Sequence, residues 1–157
     1  MFWLDIYGLS DKKDKQIIEK FLNEFAFRDQ IESRAGGTVT ILRNEKYQIN
    51  EEDIPVETTT DAIDIGVRNK YKGFCVYFHT GFKPEVTSLL LKFTYDDKII
   101  YGVSVDEHNT KRAKEIRDKL IKDFHIKDVS VEFENPPADD ESEFYKNMAK
   151  WKNTLAE

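Results

Sequence analysis

The clearest chemical potential in this chain belongs to two adjacent carboxylates, Asp96 and Asp97, which separate two runs of alternating apolar residues. Such runs predict a β-hairpin with the carboxylates at its tip. Divalent cations bind clustered oxygen ligands, and Asp5 on the first predicted strand would complete a cluster if that strand neighboured the hairpin. Aspartate is also a common turn residue, because its side chain bonds local backbone groups. We therefore interpret the pair as a turn and predict no metal site.

The single cysteine and the three histidines add little catalytic chemistry. Cys75 and His79 lie four residues apart on a predicted strand, and a rise of ~3.3 Å per residue puts their backbones about 13 Å apart, too far for a thiolate–imidazole contact. A lone cysteine excludes an internal disulfide and a cysteine-based zinc site and indicates a reducing, cytoplasmic setting. No glycine-rich phosphate loop is present. We predict no catalytic residue and no cofactor.

The distribution of charge is more informative than these motifs. The chain has 30 Asp and Glu against 24 Lys and Arg, a formal charge of −6, and many of the acids fall into three groups. The basic residues are mostly lysines dispersed among acids, which disfavours a nucleic-acid partner. Carboxylates at a helix start also have a structural role, because they cap it and oppose its dipole. The acidic candidates for binding a basic partner form three groups: the first is Glu51, Glu52 and Asp53, the second is Asp61 and Asp64, and the third is Asp139, Asp140 and Glu141.

Three aromatic residues, Trp3, Tyr7 and Tyr77, are expected to supply the apolar part of such a binding surface. Each lies opposite the strand positions assigned to the main core. An acidic surface with exposed aromatic side chains would attract a basic protein and accelerate encounter by electrostatic steering. The last predicted helix could instead cover these residues.

The first part of the chain predicts a strand, a helix and a second strand. Apolar residues alternate over 2–7, recur at helical spacing over 11–27 and form a β-branched run over 38–42. Ser10 or Asp11 is expected to cap the helix.

The polar stretch 44–60 shows neither period and is expected to be a long loop. Compact domains usually join elements with about 4–6 residues, so a loop of this length is expected to be functional or partly structured. Two hairpins should follow it. The first pairs 63–67 with 74–79, and the second pairs 89–95 with 99–105.

The C-terminal part predicts a helix, a strand and a final helix. The first of these helices begins at Asn109 or Thr110 and carries one apolar stripe formed by Ala113, Ile116, Leu120, Ile121 and Phe124. The strand covers 129–134 and ends at two prolines. The last helix carries a narrow apolar seam formed by Phe144, Met148, Trp151 and Leu155.

These elements predict one α+β domain over 1–157, with a largely antiparallel or mixed sheet of about six to seven strands and the order β-α-β-(ββ)-(ββ)-α-β-α. The helix within 138–157 packs on the domain or on a partner, and a homodimer through it is one such use. In element order alone, the strand-helix-strand units at the two ends resemble the split βαβ arrangement of ferredoxin-like domains, which implies no function.

Membrane association is not expected, since no apolar run approaches the ~18 residues of a membrane span. The N-terminal apolar residues have no basic flank before Asp5, so a secretory signal is not expected either. The leading hypothesis is a non-catalytic, acidic protein-binding domain that neutralises or regulates a partner by occupying its surface, as immunity and inhibitor proteins do. The alternative is a small enzyme or ligand-binding domain with a pocket between the sheet and the 44–60 loop.

Overall fold

The computed structural model describes residues 2–28, 30, 38–45, 48–70, 72–78 and 82–155. Seven strands and four helices are formed within these ranges. In chain order they are β1 Trp3–Ser10, α1 Lys15–Phe25, β2 Thr38–Glu45, β3 Gln48–Pro55, α2 Thr59–Arg68, β4 Lys72–Phe78, β5 Ser88–Phe93, β6 Ile99–Asp106, α3 Thr110–Asp123, β7 Asp128–Phe133 and α4 Glu141–Lys150.

The strands form a sheet with the order β3-β2-β4-β5-β6-β1-β7. Five of them, from β4 to β7 in this order, pair antiparallel over most of their lengths. The β2–β3 hairpin extends the sheet through two register pairs, Leu42 with Gly73 and Arg43 with Lys72. The predicted α+β class is confirmed. The predicted number of about six to seven strands is slightly off for the extensively paired part of the sheet, which consists of the five strands β4-β5-β6-β1-β7.

The strand-helix-strand unit β6–α3–β7 has a split arrangement, because β1 lies between its two strands. At the N-terminal end, β1 is separated from β2 by β6, β5 and β4. Strand β1 is therefore an interior strand, next to the edge strand β7, and its side chains contribute to both faces of the sheet.

Each face of the sheet carries its own hydrophobic core. Helices α1, α2 and α3 pack on the first face, where Phe21 and Phe25 of α1 meet Tyr101 of β6 and Phe124 at the end of α3. Helix α4 lies on the second face, where Phe144 packs with a smaller set consisting of Tyr7, Leu9, Leu90, Ile100 and Ala138. Of the predicted apolar seam, Phe144 and Met148 pack on this face, whereas Trp151 caps the end of α4 and Leu155, beyond the helix, packs against the first core.

The expected loop 44–60 and the expected strand 63–67 are both wrong. Residues 48–55 form β3, and residues 59–68 form α2. Thr58 and Asp61 form a capping box, which begins a helix by satisfying its first backbone N–H groups. The buried residues of α2 follow helical spacing: Ala62, Ile63, Ile65 and Gly66. Strand β4 consequently pairs with β5 and β2 rather than with 63–67.

Other boundaries shift by less. Helix α1 begins at Lys15 with Asp14 as its cap, rather than at Asp11. Asn109 caps α3 as predicted, but Ile121 is exposed and leaves the apolar stripe. None of the helices in the described ranges has the length and apolar character needed to cross a bilayer.

Candidate functional site

The hairpin tip that carries Asp96 and Asp97 is tied to the fold by local and long-range bonds. Asp96 accepts the Thr94 hydroxyl at 2.6 Å and the backbone N–H of Glu141 at 3.1 Å. Asp97 forms an ion pair with Lys13 and has a positive φ of 63°. Both carboxylates therefore stabilise the turn and its neighbours.

Asp5 does not join this tip. On β1, Asp5 lies opposite Ser104 of β6. Ser104 is five residues from Ile99, the β6 residue next to the hairpin tip, so Asp5 is about 16 Å from the tip at a rise of ~3.3 Å per residue. In the part of the chain that the structure describes, no cluster of three His, Cys, Asp or Glu residues is arranged to hold a metal ion.

The predicted acidic group at the start of α4 is engaged within the fold. Asp139 forms an ion pair with Lys92 at 2.9 Å, and the Asp140 side chain accepts the backbone N–H of Glu143 at 2.8 Å as the helix cap. Glu141 pairs with Lys127 at 2.8 Å. These carboxylates dock α4, so they offer little free charge to a partner.

The three aromatic candidates lie on the second face but differ in exposure. Trp3 is 41% exposed and Tyr77 is 55% exposed, whereas Tyr7 is buried. The Tyr7 hydroxyl donates a hydrogen bond to the backbone oxygen of Asn135. Trp3 and Tyr77 remain available for contact, and Tyr7 serves the core.

A groove of about 670 Å³ lies between the end of β3 and α2, and the predicted candidates Asp61 and Asp64 line it. Glu51, Glu52 and Asp53 are on β3, the edge strand that leads into the groove. The lining includes the carboxylates of Glu57, Asp61 and Asp64, the guanidinium of Arg68, and an apolar floor contributed by Ile54, Pro55, Ile65 and Val67.

The three carboxylates that line this groove differ in whether they already have hydrogen-bond or ion-pair partners within the chain. Asp61 is committed to the capping box, where it accepts the backbone N–H groups of Glu57 and Thr58 at 3.3 Å each. Asp64 pairs with Lys15 at 2.7 Å on the half-exposed surface. Glu57 is exposed, so the groove presents a net negative surface.

A buried polar cluster on the second face was missed by the sequence reasoning. Asp5 accepts the Ser104 hydroxyl at 2.6 Å and the backbone N–H of Asn135 at 3.0 Å. Glu132 accepts the Ser130 hydroxyl at 2.7 Å and the Asn135 side-chain amide at 2.6 Å. One asparagine therefore bridges two carboxylates.

Burial governs the protonation of both acids in this cluster. Loss of solvation raises the pKa of Asp5 to about 6, against the opposing effect of its hydrogen bonds. Burial likewise raises the pKa of Glu132, and its bonds to Asn135 and Ser130 oppose that rise. The available signal was Asp5 itself, a carboxylate within the apolar alternation of the first predicted strand.

The thiol and imidazole candidates have no catalytic geometry in the described part of the chain. Burial raises the pKa of the Cys75 thiol to about 11. His108 is exposed beside Glu107, and His125 lines a cavity of about 430 Å³ at the start of α1. His79 lies outside the described residues.

Comparison of the chain with protein-family models, with curated proteins and with solved structures finds no match.

Proposed function

We propose that this protein is an acidic binding domain whose groove between β3 and α2 receives a basic segment of a protein partner, which it neutralises or regulates by occupation. The proposal rests on one observation. The groove lies between the end of β3 and α2; Asp61 and Asp64 of one acidic group line it, and the other group, Glu51 to Asp53, directly precedes its β3 side in sequence.

Charge and shape both support a basic ligand at this place. Three lining carboxylates stand against the guanidinium of Arg68 and the Lys15 ammonium that pairs with Asp64, which leaves a net negative charge that favours cations. The apolar floor can accept the methylene stems of lysine or arginine while their charged ends meet the carboxylates. The neighbouring strand β3 is a sheet edge, and such edges accept an added strand from a partner. A single cysteine is in keeping with a cytoplasmic setting.

A titration of the isotope-labelled protein with decalysine, followed by backbone NMR, tests the proposal. The expected shifts concentrate in 54–69 and diminish as salt is added. The double variant Glu57→Gln with Asp64→Asn should weaken binding roughly fivefold, since two surface charges contribute about 1 kcal/mol together. These positions leave the capping box intact.

The matched control removes the same charge from the exposed side of α3 by Glu115→Gln with Asp118→Asn. Binding by this control should equal that of the unaltered protein. Equal weakening by both double variants would show only a response to net charge and would refute the groove as the docking site.

A small cationic ligand in the same groove is the second candidate, since its volume lies within the ~300–1,000 Å³ range of small-molecule sites. Spermidine serves as the probe. Tight, saturable shifts of groove residues with spermidine, and weaker ones with decalysine, would favour this function over protein binding.

A further inference from the structure

The buried carboxylates of Asp5 and Glu132 join the edge strand β7 to the rest of the sheet. The two residues are directly opposite in the antiparallel register of β1 and β7. They are 5% and 1% exposed. Opposed side chains in such a ladder have Cβ atoms about 4.5–5.5 Å apart. Two ionised carboxylates at this spacing, with little water between them, repel each other, so the pair favours holding a proton.

Asn135 connects this pair to the segment that follows β7. Residues 134–140, here called the strap, run from β7 to α4 across the second face. Asn135 bonds Asp5 through its backbone N–H and Glu132 through its side chain, and it accepts the Tyr7 hydroxyl. At the far end of the strap, Asp139 pairs with Lys92 of β5.

Several charged and titratable groups surround the pair. Glu134 of the strap adds negative charge near Asp5, and Glu143 of α4 adds it near Glu132. Lys150 of α4 acts on Glu132 in the opposite direction. The neutral Ser104 faces Asp5 from β6. The phenols of Tyr7 on β1 and Tyr77 on β4 lie close enough to interact with Asp5.

We propose that the Asp5–Glu132 pair is a pH-sensitive latch, which holds β7, the strap and α4 against the sheet more tightly when it carries a proton than when both carboxylates are ionised. The protonated form keeps its bonds. Ser104 can accept a hydrogen bond from Asp5 as readily as it now donates one, which leaves the other Asp5 oxygen for Asn135.

The direction follows from linkage. Asp5 holds its proton more tightly in the closed state, where its pKa is about 6, than in an open state with the ordinary value of 3.8. Proton binding therefore favours closure, and opening becomes easier as the pH rises through about 6. For Asp5 alone the opening equilibrium should increase about tenfold between pH 5 and pH 8.

Amide hydrogen exchange of the full chain at pH 5, 6, 7 and 8, corrected for the intrinsic pH dependence of exchange, tests the latch. Protection of the β7 and strap amides should fall about tenfold across this range. Asp5→Asn should remove that fall, because its amide oxygen can accept the Asn135 N–H while its amide nitrogen donates to Ser104. The control Asp128→Asn removes a carboxylate from β7, where the amide oxygen can still accept the Tyr145 hydroxyl, and should keep the fall.

Protection that does not change with pH, or an equal effect of both variants, would overturn the latch. A carboxyl carbon NMR titration of the unaltered protein tests it without any variant. A proton leaving Asp5 or Glu132 near pH 6 supports the proposal, whereas titration of both residues below pH 5 overturns it.

Discussion

Lys13 forms an ion pair with Asp97 and also donates hydrogen bonds to the backbone oxygens of Gly66 at 2.8 Å and Asn69 at 3.0 Å. Its side chain is only 8% exposed. One ammonium group therefore joins the β1–α1 connection, the C-terminal end of α2 and the β5–β6 turn. A cation at a helix C-terminus also satisfies carbonyls that lack partners within the helix.

Lys13→Met should lower the free energy of unfolding by about 2 kcal/mol, measured by urea denaturation. Breaking a fully buried pair costs ~3–5 kcal/mol, and the partial exposure of Asp97 reduces that cost. Lys15→Met is the matched control, because the Lys15–Asp64 pair is solvent-screened on the half-exposed surface and its loss should change stability far less. Equal effects of the two variants would contradict a structural role for Lys13.

Gly66→Ala should destabilise the fold even though alanine is the better helix former. A Cβ atom at this position would lie 2.4 Å from the ring of Phe93, so the ring or the helix must shift. The expected loss is about 1–3 kcal/mol in urea denaturation. Gly73→Ala, whose Cβ would lie 3.2 Å from its nearest neighbours, should cost less. A gain in stability for Gly66→Ala would show that α2 packs differently.

Phe144→Ala should remove the anchor of α4 on the second face. The ring is fully buried between α4 and the sheet, so the expected loss is about 3–4 kcal/mol. Ile121→Ala, at an exposed position of α3, should change the free energy of unfolding by less than ~0.5 kcal/mol. A loss of similar size at both positions would be inconsistent with docking of α4.

Cys75 should react slowly with iodoacetamide at pH 8 in the folded protein. Its pKa of about 11 leaves little thiolate at this pH, because burial disfavours the charged form. A thiolate of high pKa is intrinsically more nucleophilic, which offsets part of the loss in thiolate fraction. The alkylation rate of folded Cys75 should therefore be roughly tenfold below that of the urea-unfolded chain. Mass spectrometry gives both rates, and since Cys75 is the only cysteine the readout is unambiguous. Similar rates would mean that the thiol is solvated.

The elements with a strict hydrophobic period were predictable from the sequence. The alternation in β1, β5 and β6 reflects two faces that both pack, and the spacing in α3 reflects one buried stripe. The turn at Asp96 and Asp97 was predictable as well, since its chemistry is local.

The region from β3 to α2 was not predictable in this way. Strand β3 is held by backbone pairing with β2, which requires no apolar alternation. In α2, Ile63, Ile65 and Val67 alternate as a strand would, yet the capping box and the fit of Gly66 against Phe93 select a helix. The capping box was a local signal that the apolar alternation outweighed, and the fit of Gly66 against Phe93 is a tertiary contact that no local pattern reveals.

By itself, the sequence determined the α+β class, the acidic balance and the positions of most periodic elements, because these depend on composition and on spacing between near neighbours. Only the tertiary structure decided which acids are free, which are engaged, and that Asp5 meets Glu132. The physical reason is that strand register and the path of the strap are long-range properties. They are set by the packing of α4 and Asn135 over the second face, whose polar residues by themselves would predict exposure to solvent.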